Sequence, residues 1–439
     1  MPRYIMYEVH LPQKWIQSSH FVHTSMEVLV PSSLTRRSVL ATGAIALPMT
    51  AASCAKTSLG ENGFGSSGNS GNGGNSATPT PTPTPTPAAL TITADHPITE
   101  LQPGDALKFT VANGALKDVE VTNSEGGEVK GTLKDAVWTP SKPWNLNSSY
   151  TLTATLSNTD PHAGPTTTVT KKVKSVDGDV NVVEMLYDDA SVGIGMPVII
   201  KFEHEVIDAS MRAKIQKAMQ IDVSPKQEGS WGWIDQTQLM WRPKDFWKAG
   251  TKVSVRGNLT GLPTSSHRWI THDVEGSFQV GDARIIKIYI DDHKMDVLRD
   301  GKIVRTIPVT TGKPGATTTT RSGTKVIIER DATKVMDSST VGIPNGSSGY
   351  YHVKVKYAMR VTYTGEFIHA APWSEGSQGS ANVSHGCVGS STENAKWLFN
   401  FCAAGDPVIS SGSNRQFKPG EGIGCWCYDW SGWQKLSAV

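Results

Sequence analysis

The segment Phe367-Ile368-His369-Ala370-Ala371-Pro372-Trp373, a Gly/Ser-rich loop and then Ser384-His385-Gly386-Cys387-Val388 bring one thiol and two imidazoles into a short stretch of chain. A free thiol has a pKa of about 8.5 and is a poor nucleophile until a neighbouring group takes its proton. Cys387 with a histidine is therefore a candidate for covalent acyl transfer. His385 lies only two residues away, on the same face of an extended segment, but so short a tether aims poorly. His369 closes a strand and can face the thiol across the loop. Glycine at 386 allows close backbone approach, and the Gly386 and Cys387 amides are candidate donors to a developing oxyanion. From these residues alone three other readings stay open. Cys387 is an inert buried thiol, a metal ligand with His369 and His385 (although a fourth ligand at sensible spacing is missing), or the disulfide partner of Cys402.

The chain around this stretch reads as mainly β. Its 439 residues exceed one ordinary domain. A net charge of +2 gives nucleic acid no electrostatic footing, and no nucleic-acid partner is expected. Apolar and polar residues alternate in Leu90–Thr93, Leu107–Val111, Val119–Val121 and Tyr150–Ala154, with turn residues between them, which predicts an antiparallel sandwich over 90–176. A second module over 177–281 carries Val198–Phe202, Leu239–Arg242 and Val253–Arg256, with one helix from Ala209 to Met219. Trp231, Trp233, Trp241 and Trp247 read as packing residues, because aromatics fill cores more often than they bind sugars. A third domain, 282–411, opens with strands Ile285–Ile290, Lys294–Leu298 and Ile303–Val309. A Thr/Gly-rich loop from Thr310 to Gly323 and a strand Lys325–Glu329 follow. Residues 412–439 form a Trp-rich tail.

The first 89 residues predict no fold. Arg36-Arg37 before the apolar run Val39–Ala52 fits a twin-arginine export signal, too short to span a bilayer comfortably. Ala51-Ala52-Ser53-Cys54 resembles a lipobox, so residues 1–54 are read as signal plus lipidation site at Cys54, with plain cleavage as the alternative. One acyl chain binds membranes weakly, so a stable anchor needs more than one. Residues 1–25 precede a second methionine, Met26, and look like an over-long start. Residues 55–89, a Gly/Ser/Asn coil and then alternating Thr-Pro, read as a spacer that lifts the folded part off the membrane.

The string from His369 to Cys387, with His-x-Ala-Pro-Trp, Gln378-Gly379, Asn382 and Ser384-His385-Gly386-Cys387, resembles the signature of the L,D-transpeptidase family, the YkuD-type catalytic domain. Met336-Asp337-Ser338-Ser339-Thr340 and Gly349-Tyr350 add to it. The likeness is to mycobacterial-type enzymes with two immunoglobulin-like modules. It runs over about residues 90–439 and is most specific in 336–397. It implies an exported, lipid-anchored enzyme facing the cell wall that forms 3-3 cross-links between peptidoglycan stem peptides. Cys387 would attack a donor tetrapeptide to form a thioester, which an acceptor amine would then resolve. The resemblance makes His369 the base and the Ala370 carbonyl its orienting partner. Tyr350 on a lid would complete the oxyanion site with the Gly386 and Cys387 amides, and His385 would support. Met336, Trp373, Asn382, Ser384 and Tyr350 are implied substrate contacts. No cofactor or metal is implied, carbapenem β-lactams are expected covalent inhibitors, and a monomer is expected.

Two departures stand out. Gly389 replaces the Asn or Arg that many members carry two places after the cysteine, and the lid between Met336 and Tyr350 is one residue shorter, with Val341 in place of an aromatic. The tail contains Cys425-Trp426-Cys427, outside the family pattern, and one of these is a candidate bridge to Cys402. In the family the corresponding extension packs back on the catalytic domain. An L,D-carboxypeptidase with water as acceptor, and a non-catalytic wall-binding lipoprotein, are the rival readings.

Overall fold

The computed structural model describes residues 84–341, 344–347 and 350–439. Residues 1–83, on which the expected export signal, the lipobox-like Cys54 and most of the expected spacer fall, lie outside the described residues, as does Gly349. Among the described residues no helix is long and apolar enough to cross a membrane.

The first module is two antiparallel sheets. Strands Ala89–Thr93, Leu107–Ala112, Val137–Pro140 and Gly131–Lys134 form one, and Gly114–Asn123, Ser149–Asn158 and Thr166–Lys174 the other. The alternation that predicts them is visible in Ser149–Asn158, where Tyr150, Leu152, Ala154 and Leu156 are buried and the threonines between them are not. Period-two patterning puts one face of a strand into the core and the other toward water. Trp144 closes that core, donating its indole N–H to the Asp105 carbonyl at 2.7 Å and meeting Tyr150 edge-on at 4.8 Å.

The second module has two four-stranded sheets and a small three-stranded one made of Pro263–Ser265, Arg268–Trp269 and Asp179–Val180. Its helix spans Ala209–Ala218 and is capped by Asp208, whose carboxylate accepts from Ser210 N at 2.7 Å. Trp233, Trp241 and Trp247 are buried in its core, as packing residues should be, with the last two stacked at 5.3 Å.

The third domain pairs a five-stranded sheet with a four-stranded one. The first holds Lys302–Pro308, Lys294–Arg299, Arg284–Tyr289, Pro407–Ser411 and Gly323–Val326, in that order; the second holds Glu329–Asp337, His352–Arg360, Phe367–Ala370 and Val388–Ser390. Ile286, Ile288, Val297, Ile368, Val388 and Val408 are among the residues packed between them. The single strand expected over Lys325–Glu329 is instead a crossing point. The chain leaves the first sheet after Val326 and joins the second at Glu329. Ile327 N bonds to Asp406 O at 3.1 Å and Ile328 N to Arg360 O at 2.8 Å. An unbroken apolar run hides such a switch, because both residues are buried either way.

The second module is not a free spacer. Its core is continuous with Val326 and Ile328 of the third domain and with Ile423, Cys425 and Trp433 of the tail. Tyr187 donates its hydroxyl to Ile328 O at 2.9 Å, and Gly193 N and Gly195 N bond to Ala404 O and Gly405 O. The tail does both: its first part folds back on the catalytic domain, with Phe417 N bonded to Ser322 O at 2.8 Å and Tyr363 N to Glu421 O at 2.7 Å, and the segment from Trp426 onward seats on the second module. Trp426 Nε1 donates to Gly195 O at 2.7 Å and Trp433 Nε1 to Ser230 O at 3.0 Å. The buried Arg242 guanidinium lies 4.6 Å from the Trp426 ring and bonds to Tyr428 O. Cys387, Cys402, Cys425 and Cys427 are all free thiols. The bridge to Cys402 does not form, because Cys402 is buried in the core between the catalytic sheets and Cys425 in the core shared with the second module.

Candidate active site

The strand Phe367–Ala370 runs parallel to Val388–Ser390, with His369 opposite Gly389. Parallel pairing brings two segments distant in sequence side by side, so His369 and the turn bearing Cys387 lie on neighbouring strands. His369 is buried and its Nδ1 lies 2.8 Å from Ala370 O. A carbonyl only accepts, so Nδ1 carries the proton and the neutral ring keeps its lone pair on Nε2. Burial lowers the imidazole pKa below its usual 6.5, and the bond to Ala370 pulls weakly the other way. Trp373 is 61% exposed on a 3-10 turn, its ring 5.9 Å from that of His369, and so stands at the mouth of the site.

Cys387 is buried with Met336, Val355, Ala358 and Phe367. Its Sγ donates to Gly365 O at 3.5 Å, and no hydrogen bond among the described residues joins it to His369. Burial pushes the thiol up to about 12; the Phe367 amide beside the sulfur, and Arg360 and Lys325, act weakly against this. The resting pair is therefore a neutral thiol and a neutral imidazole.

The turn before the cysteine is tightly tied. Ser384 Oγ donates to Cys387 O at 2.6 Å and accepts from Gly386 N at 3.1 Å. Gly386 has φ +132, a conformation that favours glycine. Its amide is thus occupied by Ser384 Oγ, and Ser384 braces the turn. Asn382 is likewise spent on the scaffold. Its Oδ1 accepts from Thr311 N and Thr311 Oγ1, at 3.0 and 2.8 Å, and lies 3.0 Å from His293 Nδ1, while Nδ2 donates to Ile290 O. His385 is exposed and meets Tyr351 at 5.5 Å, outside the buried pair.

Two adjacent tyrosines stand at the lid position. Tyr350 is half-buried and bonds through its backbone to Ser347 O. Tyr351 is the one packed on the Met336–Cys387 cluster. Burial, then the nearby Cys387, raises its hydroxyl to about 12, so it is a protonated donor beside the sulfur. The signal for this was in the alternation Tyr351-Val353-Val355 against His352-Lys354-Lys356, which puts 351 on the inward face. Sequence reasoning also missed the buried charges Arg321, Lys325 and Glu366 beneath the site. Their separation along the chain leaves no local signature.

Gly389 has a steric reason. A Cβ there would lie 2.8 Å from Ala371 Cβ and 3.2 Å from Thr310 Cγ2. Gly389→Ala should therefore destabilise the protein by about 1–3 kcal/mol, the usual range for overpacking, and lower its activity by shifting the His369 strand. Chemical denaturation with an activity assay checks both. Among the described residues no group of three or more His, Cys, Asp or Glu could hold a metal ion.

Known proteins resemble this chain over both its sandwiches and its third domain. The L,D-transpeptidase catalytic domain profile matches residues 283–409, and the bacterial Ig domain profile matches 98–263, running across both sandwiches. L,D-transpeptidase 5 of Mycobacterium tuberculosis is 32% identical over 362 residues, covering 80% of this chain and 77% of the relative. L,D-transpeptidase 2 of the same species is 32% identical over 354 residues, with coverages of 80% and 83%. Among solved structures, an L,D-transpeptidase from Mycobacterium smegmatis is 34% identical, with a TM-score of 0.42 over 53% of this chain and 100% of that one. A mycobacterial L,D-transpeptidase 1 solved in complex with imipenem has 34% identity, a TM-score of 0.44, and coverages of 52% and 100%.

Proposed function

The chain belongs to the L,D-transpeptidase family, and from that premise we propose that Cys387 forms a thioester with a peptidoglycan stem tetrapeptide and passes the acyl group to a second stem, giving a 3-3 cross-link. The observation that carries this reading is the His369 Nδ1 to Ala370 O bond at 2.8 Å, which leaves Nε2 as the base at the edge where Cys387 emerges. The donor displaces the thiol from Gly365 O, and the Sγ proton passes to His369 Nε2 as sulfur bonds to the donor carbonyl carbon. The Cys387 amide and the Tyr351 hydroxyl hold the oxyanion. Collapse breaks the C–N bond to the terminal D-alanine, whose nitrogen takes the proton from His369. The acceptor amine then attacks the thioester, gives its proton to Nε2, and the departing sulfur recovers that proton. Acyl-enzyme formation splits a difficult aminolysis into two easier steps, and a buried cleft lets amine compete with water. Met336 and Trp373 line the cleft and its mouth. A carbapenem, a strained amide, acylates the same thiol.

Purified protein incubated with disaccharide-tetrapeptide should yield a dimer by mass. Trimmed monomer alone would mean that water is the acceptor and would sink the transpeptidase reading in favour of a carboxypeptidase.

The neutral resting pair also fixes the pH profile. Acylation should fall on the acid side with a midpoint below 6.5, when His369 becomes protonated. It should stay flat to about pH 10, because the thiol and Tyr351 titrate near 12. A thiolate–imidazolium pair would instead lose activity above neutrality as the imidazolium deprotonates. Stopped-flow acylation by a chromogenic β-lactam distinguishes the two.

We further propose export through the Arg36-Arg37 signal and lipidation at Cys54, with 55–89 as the tether. Cys54→Ser should move the protein from the membrane to the soluble fraction of the producing cell; retention at the membrane would contradict lipidation.

A further inference from the structure

Three charged side chains lie buried under the cysteine turn, and the transfer chemistry uses none of them. Glu366 accepts from Arg321 Nη1 at 2.7 Å and from Lys325 Nζ at 2.9 Å, and all three residues are at most 5% exposed. A charge so placed is costly unless fully paired, and a buried pair is weak evidence for stability alone. The position of Glu366 in the chain points to another use. It sits between Gly365, whose carbonyl accepts the Cys387 thiol, and Phe367, whose amide lies beside the sulfur. Its Cγ comes within 3.7 Å of where a Cβ on Gly386 would stand, so it packs directly beneath the cysteine turn.

The neighbouring turn, 362–366, which carries Glu366, is gripped from the tail. Tyr363 N donates to Glu421 O at 2.7 Å, and Glu366 N donates to Thr362 Oγ1 at 2.8 Å. Glu421 Oε1 lies 3.0 Å from Arg321 Nε, close but not aligned as a hydrogen bond. Glu421 Oε2 accepts from Lys418 N, which fixes the carboxylate in its own short turn. Beyond it the chain enters the Trp426–Trp433 segment seated on the second module.

We propose that Glu366 is a positioning residue for the Cys387 nucleophile, clamped by Lys325 and Arg321 so that it fixes the turn holding the thiol, and that Glu421 makes this clamp depend on the seated C-terminal tail. This rests on the reading of Cys387 as the nucleophile. The clamp balances charge as well as shape: Glu366 opposes ionisation of the thiol, whereas Lys325 favours it. Removing one partner should therefore move the thiol's reactivity in a direction set by the sign of the charge removed.

The test is iodoacetamide alkylation of the full chain at pH 8, read at the Cys387 peptide by mass spectrometry so that the other thiols do not interfere. Glu366→Gln should alkylate roughly threefold faster and Lys325→Met roughly threefold slower, because losing a charge of that sign changes the thiolate fraction while the intrinsic nucleophilicity of the thiolate changes the opposite way. The double variant should return to within about twofold of wild type, since it removes one charge of each sign. Glu421→Gln, at the half-exposed rim, should follow Glu366→Gln with a smaller increase. A merely structural role predicts that loosening the site speeds both single variants. Both variants moving together, or neither moving, would overturn the proposal; an unchanged Glu421→Gln would overturn the part assigned to the tail. If a single variant does not fold, the double variant and Glu421→Gln decide: support requires the double near wild type and Glu421→Gln faster, and Glu421→Gln at the wild-type rate overturns it. Alkylation reads the thiol whether or not it turns over substrate, so failure here leaves the thioester reading standing, and absence of a thioester leaves this test intact.

Discussion

Cys387→Ala should leave a folded protein that makes no cross-linked dimer and takes up no carbapenem. The substitution removes one sulfur from a cluster of Met336, Val355, Ala358 and Phe367, so the cost in stability is small beside the loss of function. His369→Gln keeps the volume and should leave the thiol reactive to strong alkylators, but it removes the base and should slow acylation by roughly a hundredfold to ten-thousandfold. The two variants separate nucleophile from base. Mass analysis of the carbapenem adduct shows none in the first and slow accumulation in the second. Cross-linking that survives Cys387→Ala would place the chemistry on another residue.

Trp433→Ala should be the most destabilising single truncation of the tail. Trp433 is fully buried, donates to Ser230 O, and lies so close to Gly232 that a Cβ there would meet its ring at 2.9 Å. The Arg242 guanidinium lies 5.3 Å from the same ring. Removing the indole leaves a cavity that the two rigid sheets cannot collapse to fill, and it uncovers a buried cation. The expected loss is about 3–5 kcal/mol, the range for Trp or Phe truncation in a core. Trp433→Phe, which keeps an aromatic face but loses the N–H bond, should recover most of it. Urea unfolding checks both. A loss below about 1 kcal/mol for Trp433→Ala would mean that the tail is not part of the shared core.

What the sequence made legible follows from how local each signal is. Strands such as Ser149–Asn158 and Lys252–Gly257 are written in period-two alternation, whereas Val198–Phe202, buried almost throughout, has its predicted bounds from a short apolar run. The pair His369 and Cys387 was legible because the residues around each form a dense string. Three features were not. The sheet switch at Ile327–Ile328 sits inside a continuous apolar run that reads as one strand. Tyr350 and Tyr351 are identical residues, and only the inward register of Val353 and Val355 separates them. Arg321, Lys325, Glu366 and Glu421 become neighbours only through the tertiary fold, so no spacing rule finds them. Asn382 and Ser384 were recognised as part of the string, but their contacts are with the scaffold, and that depended on where Thr311 and Gly386 lie in space.

The most direct test of the account is the intact mass of the protein mixed with donor disaccharide-tetrapeptide and no acceptor, quenched in acid during turnover. A single addition equal to the donor minus D-alanine, mapped to Cys387 and released by hydroxylamine as a thioester should be, is the predicted result. Turnover with no adduct on Cys387, or an adduct on any other residue, would contradict it.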